Sequence, residues 1–265
     1  MGSVKPSMDL KLKDKVAIIT GSSQGIGLGI AKGLLAEGCR VTICGRNAEG
    51  LDRAAGELRA DPGGQVLAVT GDGTKPEDAE RIVADTARTF GRLDILVNCF
   101  GRVPGAKMLV DTPDSVWAVA VDANLMAPVR FSRLAVPHMQ RAGAGVILNI
   151  ASIWGREWGG SAPYNATKAA EIALAKSLSR ELAQFNIRVN SIAPGSIWFA
   201  GGGWDQRLKA DPEGMERFVK ADIPFGRFGT VDEVADVVVF LCSDRARWIT
   251  GACINVDGGQ TRSNI

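Results

Sequence analysis

The sequence predicts a doubly wound α/β domain, a parallel sheet covered by helices on both faces, and three observations point to it. Short runs of β-branched and aliphatic residues alternate with helical patterns almost to the end of the 265-residue chain. Those runs are apolar at consecutive positions, as strands buried on both faces are. A glycine-rich turn, "TGSSQGIGLG", follows the first run and opens the first helical pattern. In such a three-layer α/β/α arrangement, ligands sit at the carboxyl ends of the strands.

Each element follows in order. "KVAIIT" (15–20) reads as a buried strand, and residues 25–38 carry Ile26, Ile30, Leu34 and Leu35 at helical spacing. "RVTIC" (40–44) is a second strand, followed by a helix through "AEGLDRAAGELRA". "QVLAVT" (65–70) is a third strand, and "PEDAERIVADTARTF" a helix with proline at its start. "DILVN" (94–98) and "GVILNI" (145–150) are further strands with one long helical stretch between them. A helix over about 163–184, the strand "IRVNSI" (187–192), the helix "VDEVADVVVFLCS" and the strand "ACINV" complete the pattern. Only 196–224 breaks the rhythm; its glycines suggest a mobile loop-plus-helix segment of the kind found near binding sites. No linker composition and no repeat divides the chain, so residues 13–265 read as one domain after a loose extension over 1–12.

Composition narrows the function. The hydrophobic fraction of 46% and charged fraction of 23% are those of an ordinary globular protein. A net charge of +2, from 31 basic and 29 acidic residues with no block of either sign, favours neither nucleic acid nor an anionic membrane as partner. Five scattered cysteines without a CxxC pair argue against disulfides and a structural zinc, and fit a reducing, cytoplasmic setting. The polar N-terminus has no signal-peptide core, and the longest strongly apolar run, "VVVFLC", is far short of the roughly 20 residues that span a bilayer. The single histidine, His138, excludes a His-rich metal site.

The chemistry begins at the glycine turn. Gly21, Gly25 and Gly27 stand at a strand-to-helix junction, where glycine permits close backbone approach. The helix that starts there aims free N–H groups and a positive dipole end at whatever lies above, a natural seat for a pyrophosphate. The chain's only tyrosine, Tyr164, precedes Lys168 by four positions, which puts both on one helix face. A phenol, with a pKa of about 10 in water, donates a proton readily but does not readily accept one at neutral pH. A neighbouring ammonium favours the phenolate, so the group works in both directions.

With this turn, "PYNATK" and the strand pattern together, the chain resembles the short-chain dehydrogenase/reductase family from about Lys15 to Gly259. The motifs occur in the family's order: TGxxxGIG at Thr20–Gly27, Asp72 after the third strand, Asn98 and Gly101 after the fourth, Asn124 in "VDANL", Ser152 after the fifth, Tyr164-x-x-x-Lys168, and Pro194-Gly195. The resemblance implies a Rossmann-like fold and an oxidoreductase that moves a hydride between a nicotinamide dinucleotide and a carbonyl or secondary alcohol, with no metal. It implies that Tyr164 is general acid and base, that Ser152 hydrogen-bonds the substrate carbonyl, that Lys168 also holds the nicotinamide ribose, and that Asn124 helps hold a water linking Lys168 to solvent. The implied cofactor site comprises Gly21, Ser23, Gln24, Gly25, Ile26, Gly27, Arg46, Asn47, Asp72, Gly73, Asn98, Gly101, Tyr164, Lys168, Pro194, Gly195 and Ile197.

The second strand ends in "VTICGRN", with no carboxylate at Gly45 and Arg46 directly after it. A guanidinium suits a 2′-phosphate, so NADP(H) is expected and NAD(H) remains possible; Gln24 stands where many NADP-linked relatives carry a second basic residue. Two departures affect the nicotinamide side: "NCFG" (98–101) puts Cys99 and Phe100 after Asn98, and Phe199 stands where relatives often place a threonine. Phe100, Trp154, Trp158, Phe199 and Trp204, with Ser152, are the expected substrate pocket, suited to a medium-sized, largely apolar ketone. The same tryptophans suit packing of 196–224 onto the body or a subunit interface. Arg102, Arg156, Arg207 and Lys209 raise a 3-oxoacyl carrier-protein reductase as an alternative, against scattered solvated charges. A dinucleotide-binding sensor is the non-catalytic alternative. The alanine-rich helix after Tyr164 suits a homotetramer or homodimer, or simple burial.

Overall fold

The structure is a computed structural model that describes residues 9–60, 64–102, 105 and 108–264. From β1 (Val16–Ile19) the chain runs through α1 (Gly25–Ala36), β2 (Arg40–Gly45), α2 (Ala48–Arg59), β3 (Val66–Thr70), α3 (Pro76–Phe90) and β4 (Ile95–Asn98). It continues as α4 (Asp114–Val121), α5 (Ala127–Ala142), β5 (Gly145–Ile150), α6 (Ala162–Glu181) and β6 (Ile187–Pro194). Then come β7 (Ile197–Trp198), α7 (Gly203–Ala210), α8 (Pro212–Asp222), β8 (Gly229–Thr230), α9 (Val231–Cys242) and β9 (Cys253–Val256).

Seven strands form one parallel sheet in the order β3-β2-β1-β4-β5-β6-β9, and β7 pairs with β8 apart from it. Order reverses beside β1, so a crevice opens between the loops that follow β1 and β4. Successive strand residues serve opposite faces, as the pleat requires. Ala17, Ile19, Val41, Ile43, Ile95 and Val97 pack with α1, α2 and α9, whereas Val16, Ile18, Cys44, Leu96 and Ile147 pack with α3, α5 and α6. That is why β1 reads "VAII" without alternation: all four side chains are buried. Each such aliphatic stabilises the fold by about 1.5–3 kcal/mol.

Local signals set the helix ends. In α3, Pro76 starts the first turn, Glu77 and Asp78 face the positive end, Arg88 lies in the last turn, and Gly91 closes it at φ +77°. In α9, Thr230 and Glu233 make a reciprocal capping box.

Three expectations need correction. The single helical stretch between β4 and β5 is two helices, α4 and α5, joined by a π-turn at Asp122–Met126. Segment 196–224 is more regular than its glycines suggest: α7 and α8 occupy most of it, and the Asp211 carboxylate caps α8 by accepting from the Gly214 N–H (2.8 Å). Of the extension over 1–12, residues 1–8 lie outside the described residues, but Leu10 packs against the core and Leu12 is 2% exposed within it. Hydrophobic burial thus pulls the start of the domain before residue 13. Among the described residues no helix is long and apolar enough to cross a membrane.

Candidate active site

Two adjoining cavities lie over the carboxyl ends of β1, β2, β4, β5 and β6. One, of about 330 Å³, is bordered by the glycine turn, Ser152, Tyr164, Lys168, Gly195 and Trp204. The other is bordered by Ser23, Gly45, Arg46, Asn47 and Arg53. Gly21, Gln24, Cys99, Phe100 and Gly101 border both, so one cleft runs from β2 to α6. Polar struts fix its floor. The Thr20 hydroxyl accepts from the Cys99 N–H (2.9 Å), and Ser22 Oγ donates to the Ile19 carbonyl (2.6 Å) while accepting from the Cys44 N–H (3.0 Å).

The turn meets the demands of a pyrophosphate seat. Gly21 and Gly25 adopt φ +63° and +58°, and a Cβ on Gly27 would lie 2.6 Å from the Gly21 carbonyl oxygen. Gln24, the N-cap of α1, makes no side-chain cap, which leaves the first N–H groups of the helix for a ligand. Ile26, Gly27, Pro194, Gly195 and Ile197 border the same cavity. These features fit a nicotinamide dinucleotide.

Tyr164 and Lys168 share a face of α6, with Lys168 Nζ 5.9 Å from the centre of the phenol ring. Lys168 is 1% exposed; its Nζ donates to the Ile150 carbonyl and to Glu171 Oε2, each at 2.7 Å. Burial pulls the amine down, but the Glu171 carboxylate and then Tyr164 more than offset this, so its pKa stands above the ordinary lysine value. Ser152 leaves the end of β5 to start a 3₁₀ turn, where its Oγ accepts from the Trp154 N–H (3.2 Å). That contact does not use the hydroxyl proton. Burial pushes the Cys99 thiol up to about 12, with the Lys168 charge pulling against it, so the thiol stays neutral.

Asn124 lies in the π-turn, fully buried, with its amide engaged by protein. Nδ2 donates to the Arg102 carbonyl and the Thr167 hydroxyl (3.0 Å each), and Oδ1 accepts from the Arg102 N–H (2.8 Å). It therefore clasps the loop after β4 to α6. Asn98 is likewise internal: Nδ2 donates to Asn149 Oδ1 (2.9 Å), and the side chain braces β4 against β5.

At the far end, Asn47 caps α2 through the Gly50 N–H (2.9 Å), and Arg46, 54% exposed, stands 4.0 Å from the Asp72 carboxylate. Asp72 itself accepts from the Thr74 N–H and hydroxyl, which shapes the turn after β3. Arg53 joins Arg46 in bordering this cavity and was missed in the sequence. Only α2, which carries it back past the turn, brings it there.

The aromatic residues divide. Trp204 and Phe199 border the active-site cavity, and Trp204 stacks on Phe218 (5.0 Å) beside Phe228. Phe199 rests on Gly25 and Gly202. Phe100 borders both cavities instead of the substrate side alone, its ring against Gly73 and Phe131. Trp154 meets Tyr164 edge-on at 6.2 Å and packs on Gly159 and Gly160, so it backs the phenol. Trp158 does not reach the cavity; it is 93% exposed, because the short turns around Gly155, Gly159 and Gly160 carry it outward. The basic residues raised as an alternative do not gather: Arg156 turns inward to the Cys253 carbonyl, Arg207 lies over Trp204, and Lys209 pairs with Asp205.

Comparison with known proteins agrees with this geometry. The model of the family described as "Enoyl-(Acyl carrier protein) reductase" matches residues 21–261. Dehydrogenase/reductase SDR family member 4 of Bos taurus is 37% identical over 252 residues, covering 94% of this chain and 88% of its own. L-sorbose reductase from Gluconobacter frateurii, solved with NADPH and L-sorbose, superposes with a TM-score of 0.91 at 36% identity, covering 97% and 100% of the two chains. A 7α-hydroxysteroid dehydrogenase, solved with NADH and 7-oxo glycochenodeoxycholic acid, gives 0.88 at 31% identity, covering 98% and 99%. Both solved relatives hold a nicotinamide dinucleotide, which accords with the seat formed by the glycine turn. On its fold, its cleft and these relatives, the chain belongs to the short-chain dehydrogenase/reductase family.

Proposed function

We propose that the protein interconverts a ketone and a secondary alcohol with NADP(H). The observation that carries this reading is the convergence of Ser152, Tyr164 and Lys168 on one cavity with the glycine turn. A bound nicotinamide dinucleotide supplies or accepts the hydride. Tyr164 gives its phenolic proton to the carbonyl oxygen in reduction and takes it back in oxidation. Ser152 donates a hydrogen bond to the same oxygen and stabilises the negative charge that develops there. Lys168 holds positive charge beneath the phenol, and Asn124 fixes the loop and helix that frame both. Paired arginines at the β2 end, Arg46 and Arg53, support the choice of a 2′-phosphate over a free ribose hydroxyl.

On the substrate side, Phe199 and Trp204 supply large apolar walls while Ser152 and Tyr164 supply the polar end. This supports a medium-sized, largely apolar ketone. The two solved relatives bear a sugar and a bile-acid ketone, so polar and apolar cyclic ketones belong together in the assay panel. Inward or paired positions of Arg156, Arg207 and Lys209 weigh against a carrier-protein-borne substrate. Ala162, Ala166, Ala169 and Ala173 form an exposed stripe along α6, which supports a homodimer or homotetramer formed by close helix pairing.

The test is Tyr164→Phe, assayed with NADPH on that panel. The expected result is a fall in kcat of about 10²–10⁴ with dinucleotide binding retained. Full-speed reduction by this variant refutes the reading, and dinucleotide binding without turnover of any carbonyl by the natural protein favours a sensor.

A further inference from the structure

Beneath the cleft lies a charge that the reaction as described does not use. Glu171, one turn beyond Lys168 on α6, is completely buried, and its Oε2 accepts from Lys168 Nζ at 2.7 Å. Its other oxygen, Oε1, has no hydrogen-bond partner among the described residues. A buried acceptor left unpaired weakens packing, and a hydrocarbon of the same size would avoid that cost. The site has a use for the charge, however. Among the described residues the Lys168 amine has only the Ile150 carbonyl besides Glu171 as a hydrogen-bond partner, and a buried ammonium without an anion tends to give up its proton.

Resting on the functional reading above, we propose that Glu171 is a positioning residue whose buried carboxylate keeps the Lys168 ammonium charged and fixed beneath Tyr164, and so keeps the phenolic proton mobile. Other titratable groups around the pair are few. Tyr164 lies on the same helix, Cys99 faces it from the loop after β4, and Cys253 faces it from β9 with Arg156 bound to its carbonyl. Burial raises both thiols, so neither supplies the anion. Glu171 is pushed up to about 7 by burial, with Lys168 pulling it down, while Lys168 is itself raised. The two shifts favour opposite forms of the pair. The ion pair is the working form, because the neutral acid would leave the buried ammonium with no counter-charge.

A single tyrosine makes the test direct, since tyrosinate ultraviolet absorbance then reports Tyr164 alone. Glu171→Gln keeps the shape and removes the charge; Glu171→Asp keeps the charge and shortens the side chain. If the carboxylate acts by keeping Lys168 protonated, the Gln variant moves the tyrosinate midpoint to higher pH by about one unit, a tenfold loss of phenolate at a given pH, and Asp moves it less; a shift to lower pH, as expected if Lys168 keeps its proton without the carboxylate, overturns the proposal. The acid limb of the alcohol-oxidation pH profile moves in parallel. If it acts by packing, Asp disturbs the protein more than Gln, and that order overturns the proposal. So does an unmoved midpoint in folded Gln variant, folding being read by circular dichroism. Should the Gln variant not fold, Glu171→Met removes the same charge and carries the same expectation. Natural protein that turns over no carbonyl sinks the functional reading and leaves the titration contrast readable; normal turnover without the contrast sinks only the role of Glu171.

Discussion

On the proposed preference for NADP(H), cofactor choice would turn on Arg46 and Arg53, and their removal has a calculable effect. A hydrogen bond between charged partners contributes about 1.5–3 kcal/mol when shielded from water. Arg46 is 54% exposed, so solvent screening brings its share to about 1–1.5 kcal/mol, a factor of roughly five to ten in affinity. The Asp72 carboxylate at 4.0 Å lowers it further, because swinging toward a phosphate exchanges one anion for another. Arg53 borders the same cavity and has no ion-pair partner among the described residues, and a similar factor applies. Arg53→Ala should raise KM for NADPH roughly five- to tenfold and Arg46→Ala by less, because of Asp72. The double variant should fall somewhat short of the product, since neighbouring cations compete for one phosphate. KM for NADH should stay within about twofold, because the adenosine ribose hydroxyl makes no such demand for charge. Steady-state kinetics with both cofactors at fixed substrate supply the comparison. An NADPH-to-NADH preference unchanged in the double variant would refute the assignment, as would a natural enzyme that prefers NADH.

Two further perturbations test the frame of the cleft. Gly73→Val should destabilise the protein by about 1–3 kcal/mol, since a Cβ there would lie 2.1 Å from Phe100 Cε2. Adding Phe100→Ala should recover at least about 1 kcal/mol in urea melts, and strictly additive losses would show that the two do not share a site. On α6, Ala169→Glu places a carboxylate in the exposed alanine stripe and should halve the sedimenting mass if copies of the chain pair there. An unchanged oligomer would move the interface elsewhere.

What could be read in advance follows the range of the forces involved. The bounds of α3 were legible to the residue, because Pro76 and the left-handed Gly91 are local signals. The seven strands of the main sheet were legible because burial between helices writes itself as uninterrupted aliphatic runs, whereas the two-residue β7 and β8 carry no such run and were not. Tyr164 and Lys168 were legible because one helical turn fixes their relation. Arg53 and Glu171 were not. A charged residue on a helix reads as solvated, and Glu171 three positions after Lys168 reads as an ordinary surface pair. Only the packing of α6 against β5, β6 and the loop after β4 makes the pair buried.

The same limit explains why the aromatic departures looked threatening in the sequence and are accommodated in the fold. Phe100 follows Asn98 and Phe199 stands where relatives often place a threonine, both beside the expected nicotinamide seat, and taken singly each ring would crowd it. In space each ring lies where a side chain is missing. Phe100 covers Gly73, twenty-seven positions away, Phe199 lies between Gly25 and Gly202, and Trp154 packs on Gly159 and Gly160. Large residue and missing Cβ conserve volume together, and a close-packed interior constrains that sum more than either member. Glycine therefore has two uses around this cleft. Gly21 and Gly27 serve the backbone, through a positive φ and a 2.6 Å approach that no Cβ permits, while Gly73 and Gly202 serve a ring. Gly25 serves both, so Gly25→Ala strains the turn and displaces Phe199 at once, and shrinking the ring relieves only the second effect.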